Sequence, residues 1–121
     1  MSQKRNLELE ERLIAFAVRI IRVGEALPKS RTGKHIAAQV VRSGTSPAAN
    51  YAEAQDAESR ADFIHKLKIC LKELRETMVW LRISCESHLI KPKAKLEPVI
   101  KENDELIAIF AKSIQTARKR T

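Results

Sequence analysis

Apolar residues recur every three or four positions along almost the whole chain, in four stretches separated by short polar breaks, two of which carry proline. That period places them on one face of an α-helix. The first stretch keeps Leu9, Leu13, Phe16, Ile20 and Leu27 in line, with Gly24 in register and Pro28 as the stop, and predicts a helix over about 7–27. After the Pro28–Thr32 break, Ile36, Val40, Gly44, Pro47 and Tyr51 form the inner line of a second helix over about 33–56. Ser43-Gly44-Thr45-Ser46-Pro47 inside it is poor helix sequence and predicts a kink, while its small residues let another backbone come close.

The third helix, about 59–88, has the clearest pattern. Ser59-Arg-Ala-Asp62 is an N-cap signal with an acidic third position. Phe63, Leu67, Leu71, Leu74, Met78, Leu81 and Cys85 follow as a bundle seam. The fourth, about 95–118, accepts Pro98 in its first turn and lines up Ile100, Asn103, Ile107, Phe110, Ile114 and Ala117. Asn103 within that apolar line reads as a hydrogen-bonded core group or a register device. Four helices with short connections predict an all-α fold, an antiparallel up-down four-helix bundle, as one domain over residues 1–121.

Two helices carry more apolar surface than one small core can cover. Between Leu13 and Ile21 only Arg19 is polar, so Ile14, Val18 and Ile21 lie outside the first helix's seam. On the third helix, Ile69, Trp80 and Ile83 fall on a row turned away from the expected seam. Wet apolar surface costs roughly 25 cal/mol per Å², so these six positions predict a subunit interface and a homo-oligomer.

The neighbouring row on that helix is basic: His65, Lys68, Lys72, Arg75 and Arg82, with Val79 interrupting it. Net charge is +8, of which residues 59–121 hold +6 and residues 1–58 only +2. A basic excess of this kind favours nucleic acid or acidic surfaces. Candidate phosphate contacts are Lys66, Lys68, Lys72, Arg75 and Arg82, with Lys91, Lys93 and Lys95 and the Arg118–Arg120 tail as auxiliaries.

No stretch is apolar for the roughly 20 residues that a membrane span needs, and the first residues lack an apolar secretion core. The expected address is therefore cytoplasmic. Cys70 and Cys85 lie 15 residues apart on one helix, about 22 Å, too far for a disulfide, and read as ordinary buried thiols of a reducing compartment.

Arg42-Ser43-Gly44-Thr45-Ser46, Ala49-Asn50, Glu53-Ala54, Ser59, Asp62-Phe63, Lys66-Leu67, Ile69, Lys72-Glu73, Glu76-Thr77 and Trp80-Leu81 resemble the bacterial four-helix bundle proteins related to the 23S rRNA intervening-sequence protein, also called S23-like proteins. Pro47-Ala48 departs from the family pattern, which more often has an aliphatic residue followed by Gly. The resemblance implies a cytoplasmic, ring-shaped homopentamer and a nucleic-acid partner. Within the motif, Gly44 and Ala49 are expected to allow close helix approach. Arg42, Asn50, Glu53, Glu73 and Glu76 are expected to form a structural polar network between helices or subunits, since buried charges demand partners.

Catalytic signatures are missing from the pattern. His35, His65 and His88 stand in unrelated contexts and neither cysteine adjoins one, so no nucleophile–base pair is visible. Gly24, Gly33 and Gly44 are too scattered for a phosphate loop, and Asp62-Phe-Ile-His65 is a single copy of a spacing that di-iron bundles need twice. The reading is a non-enzymatic oligomer without metal or cofactor that binds RNA or DNA by phosphate contact. The alternative is an adaptor that docks a partner enzyme and binds no nucleic acid.

Overall fold

The structure, a computed structural model, describes residues 3–120, with side chains described from Leu7 onward. Its helices are α1 (Gln3–Ala26), α2 (Arg31–Ala54), α3 (Arg60–Glu86) and α4 (Glu97–Lys119), and a short 3-10 turn at Lys93–Lys95 precedes α4. Among the described residues there is no strand. Helix α2 packs against both α1 and α3, α3 packs against α4, and α1 meets α4 more sparingly.

The helix ends are set by local hydrogen bonds. Ser30 Oγ accepts from the Gly33 N–H at 3.1 Å and starts α2 two residues ahead of the expected Gly33. Ser59 Oγ accepts from the Asp62 N–H at 3.0 Å and starts α3 where the capping signal places it. Helix α1 begins at Gln3, earlier than the expected start near Leu7. Beyond α3, His88 takes a left-handed φ of 61°, which a side chain rarely adopts and which turns the chain out of the helix.

Helix α2 runs unbroken through Pro47 and sets the spacing of the bundle. Its expected inner line of Ile36, Val40, Gly44, Pro47 and Tyr51 is buried throughout. A methyl group on Gly44 would lie 2.5 Å from Ile20 Cγ2 and 2.9 Å from Ile20 Cβ on α1. Ile20 is fully buried, so it has no open space to move into, and only glycine allows this approach. Ala49, also expected to sit at a close approach, is exposed instead.

The core is aliphatic with a few aromatic anchors. Leu13, Phe16 and Ile20 of α1 and Leu27 just past its end meet Val40 and Tyr51 of α2, Leu67, Leu74 and Leu81 of α3, and Leu106 and Phe110 of α4 in one cluster. Tyr51 and Phe110 meet edge to face with centroids 5.8 Å apart. Full burial of such side chains contributes about 1.5–3 kcal/mol each.

The seam of α3 differs from its expected course. Its fully covered line is Leu67, Cys70, Leu74, Thr77, Leu81 and Ser84, whereas Phe63, Leu71 and Met78 are only partly buried. The buried face is rotated toward α2, where hydroxyls replace methylenes. Thr77 Oγ1 lies 2.8 Å from both Ser43 Oγ and the Glu73 carbonyl oxygen, and Ser84 Oγ donates to the Trp80 carbonyl at 2.8 Å. Each buried hydroxyl thereby has a partner. Cys70 Sγ donates to the Pro47 carbonyl at 3.5 Å, and burial pushes its thiol up to about 12, so it stays protonated and unreactive.

Asn103 is fully buried, and among the described residues neither its Oδ1 nor its Nδ2 has a hydrogen-bond partner. This corrects the expectation of a hydrogen-bonded core group. An unsatisfied buried amide costs about 1–3 kcal/mol in desolvation. Asn103→Leu, close to isosteric, is expected to raise stability by about 1 kcal/mol and the melting temperature by about 4 °C. Thermal denaturation followed by circular dichroism measures both, and a lower melting temperature for the variant contradicts the unsatisfied-amide account.

Candidate nucleic-acid interface

The solvent face of α3 carries His65, Lys68, Lys72, Arg75, Val79 and Arg82, all exposed. Positions three and four apart share one helix face, and Lys68 to Arg75 spans about 10 Å. The candidate cations on this helix are not equivalent. Lys66 Nζ donates to Glu53 Oε1 at 2.9 Å and bridges α3 to α2. Arg82 pairs with Glu86 at 3.5 Å, one turn along the helix. Lys68, Lys72 and Arg75 have no ion-pair partner among the described residues. Lys91, Lys93 and Lys95 are likewise exposed, in the connection between α3 and α4.

The apolar positions proposed for assembly divide in a similar way. Ile14, Val18 and Ile21 are 41–49% exposed on one side of α1, and Leu7 continues that side toward the N-terminus at 52%. Ile83 is 39% exposed on α3 and stands one turn from Val79 at 54%, the residue that interrupts the basic row. Ile69 is partly exposed. Trp80 does not face away from the core. Its ring packs against the buried cluster and stands edge-on to His35 with centroids 6.0 Å apart, while Nε1 donates to Glu76 Oε2 at 3.0 Å. An amphipathic indole at the boundary of the core satisfies both of its ends in this way.

The expected polar network is three separate features. Arg42 reaches across from α2 to α3, donating through Nη1 to both Glu73 carboxylate oxygens at 3.4 Å and through Nη2 to Glu76 Oε2. Glu76 thus receives Arg42 and Trp80 on the same oxygen. Glu53 belongs to the Lys66 pair instead. Asn50 stays within α2, donating from Nδ2 to the Ser46 carbonyl at 3.1 Å and to Ser46 Oγ at 2.9 Å. Arg42 is half exposed, so the cluster orients two helices at a wet boundary and does not neutralise a buried charge.

A stronger ionic link escaped the sequence analysis. Arg12 of α1 grips Glu102 of α4 in a two-pronged pair, Nε to Oε2 at 2.7 Å and Nη2 to Oε1 at 2.8 Å, and also reaches Glu105 at 2.9 Å. Ninety residues separate the first two partners, so no local spacing announces them. The link holds together two helices that otherwise pack sparingly. The Arg12 hydrogen bond holds the Glu102 carboxyl below the usual carboxylate range, against the opposing effect of burial.

Among the described residues, no group of three or more His, Cys, Asp or Glu side chains could hold a metal ion, and no helix is long and apolar enough to cross a membrane. The profile of the 23S rRNA-intervening sequence protein family matches residues 5–112. The chain belongs to that family. A protein of unknown function from the S23 ribosomal protein family of Bacteroides thetaiotaomicron VPI-5482 has a similar crystal structure, with a TM-score of 0.80 and 35% identity over 87% of this chain and 96% of that one. No curated protein matches the chain. The family match covers α2 and α3 in full and most of α1 and α4, and it includes the α3 face and the Arg42 cluster.

The lowered Glu102 pKa fixes the sign of a pH effect. A carboxyl whose folded pKa lies below its unfolded value of about 4.3 stabilises the fold above that pH, and the contribution is lost as pH falls through the folded pKa. Arg12→Gln is therefore expected to lower stability by about 1 kcal/mol at neutral pH, with the gap from wild type closing at acid pH. Urea unfolding at pH 7 and pH 3 tests this, and a gap that is constant with pH contradicts it.

Proposed function

We propose that this family member is a non-catalytic, oligomeric bundle protein that binds RNA or DNA by phosphate contact along the solvent face of α3. The observation that carries the reading is the row Lys68, Lys72 and Arg75, exposed on one helix face without ion-pair partners among the described residues, with Lys91, Lys93 and Lys95 also exposed in the connection that follows α3. Lys66 and Arg82 are secondary contacts, since each already holds a carboxylate. The family name ties its members to an rRNA intervening sequence. Phosphate contacts position a protein without reading sequence, so structured RNA of many sequences should bind.

An antiparallel up-down course is supported by pairs that run in opposite senses, Gly24 against Val41 and Gly44 against Ile20, or Glu53 with Lys66 and Arg42 with Glu76. Assembly is supported by the apolar side of α1 at Ile14, Val18 and Ile21 and by Ile83 with Val79 on α3. These faces lie on different helices and are built from different residues. Joining one to the other is a head-to-tail contact, which closes into a ring when the rotation allows. Five copies is the number that the family resemblance implies. A ring would repeat the basic row and raise avidity without any new contact. Both cysteines are free and buried, which accords with a cytoplasmic protein.

Fluorescence anisotropy with a structured RNA hairpin tests the binding surface. Three phosphate contacts predict a loss of affinity on the order of 30-fold between about 50 and 200 mM salt. Lys68→Glu with Lys72→Glu and Arg75→Glu should remove binding, whereas salt-insensitive binding or an unaffected triple variant points to the adaptor alternative. Light scattering of the wild type should report a mass well above 13.7 kDa. Ile14→Glu with Val18→Glu should reduce that mass to one chain, and a wild-type monomer at micromolar concentration ends the assembly proposal.

A further inference from the structure

At the end of the bundle opposite the α2 start, a cleft of about 550 Å³ opens between all four helices. The volume lies within the range of about 300–1,000 Å³ usual for small-molecule sites. Two helix beginnings and two helix ends gather there: Leu9 of α1, Gln55 at the close of α2, Arg60 and Phe63 of α3, and Arg120 just past α4. Helix dipoles of opposite sense therefore largely offset one another, and the side chains set the local potential.

Those side chains are of one sign. Arg60, Lys112 and Arg120 line the cleft, and among the described residues no carboxylate side chain does. None of the three has an ion-pair partner among the described residues, although seven ion pairs hold other charges of the chain. Arg60 donates one N–H to the Ala117 carbonyl at 3.4 Å, which steadies the guanidinium and leaves its other donors available. Glu10 acts on the Tyr51 phenol from α1 but is not part of the lining.

Beneath the cations the wall is apolar. Leu9, Phe63, Leu67 and Ile109 supply hydrocarbon, and the lining hydroxyls of Ser113 and Thr116 offer hydrogen bonds nearer the cationic residues in the chain. A polyanion strand needs an open cationic track, whereas cations around an apolar hollow match a molecule with a charged head and an oily body. We propose that this end cleft binds an amphipathic organic anion, a carboxylate or phosphate head held by Arg60, Lys112 and Arg120 with its hydrocarbon body against Phe63, Leu67 and Ile109. The site is separate from the α3 row and stands whether or not that row binds nucleic acid.

Displacement of 1-anilinonaphthalene-8-sulfonate, followed by its fluorescence, tests the proposal. Decanoate and decyl phosphate should both displace the dye, and decyltrimethylammonium and inorganic phosphate should not. Lys112→Gln with Arg120→Gln should weaken decanoate at least tenfold, and Ser113→Trp, which fills the hollow, should abolish binding while helicity is retained. Lys34→Gln, on the exposed side of α2 and outside every surface described, should change nothing. Equal displacement by the cationic amphiphile, indifference to the Lys112/Arg120 pair or to Ser113→Trp, or loss of binding in Lys34→Gln would each overturn it. Preference between decanoate and decyl phosphate distinguishes a carboxylate from a phosphate head.

Discussion

The bundle depends on how closely α2 can be approached from two sides. On one side Gly44 leaves the space that Ile20 of α1 occupies, and a side chain there would have to displace a fully buried residue. On the other side Ser43 and Pro47 meet Thr77 and Cys70 of α3, through a hydroxyl pair at 2.8 Å and a thiol–carbonyl contact at 3.5 Å. Small residues in one turn of α2 thus fix the rotation of both neighbours about their axes. Once Ile20 is seated, Leu13 and Phe16 follow inward, and Ile14, Val18 and Ile21 are carried to the outside. Once Thr77 is seated, the Lys68, Lys72 and Arg75 row is carried outward in the same manner. Both proposed surfaces are consequences of one close approach.

That dependence explains what could be seen in the residue pattern. Helix existence and the inner lines of α1 and α2 follow from apolar periodicity, because there the buried face is also the hydrophobic one. Helix α3 breaks this equivalence. Its buried face includes Cys70, Thr77 and Ser84, and a pattern that counts only large apolar residues turns the seam toward Leu71 and Met78. A helix can bury hydroxyls at little cost when they return a hydrogen bond to a carbonyl one turn back, as Thr77 does to Glu73 and Ser84 to Trp80. The same rotation brings Trp80 against the core and its N–H onto Glu76.

Charges are less legible than shape. A lysine looks the same in sequence whether it is paired or free, so the candidate contacts on α3 could be ranked only once Lys66 was found on Glu53 and Arg82 on Glu86. Arg12 with Glu102 depends on chain ends that meet only in the folded bundle. The end cleft has the same origin, since its residues are drawn from positions 9 to 120 and share no local motif. Even the expected network of Arg42, Asn50, Glu53, Glu73 and Glu76 failed as a unit, because nearness along a motif does not fix which helix face each residue occupies.

The remaining surface can be sorted by what each face lacks. The outer side of α1 has exposed hydrocarbon, Lys68, Lys72 and Arg75 of the α3 row have no carboxylate partner among the described residues, and the end cleft combines both features. Hydrocarbon alone is answered by another hydrocarbon surface, and the nearest supply at high local concentration is a second copy of the chain. Cations on a convex helix face are answered by an extended anion, because solvent screens any single contact and several must act together. Cations rimming a hollow are answered by a single compact anion, since the surrounding low dielectric strengthens each contact and the walls exclude a long polymer. If copies join α1 to α3 around a ring, the first deficit is removed without covering Lys68 or Arg60, for neither residue lies among the apolar positions that meet. One fold can then hold three kinds of surface, because the α1 face, the α3 row and the end cleft draw on different residues.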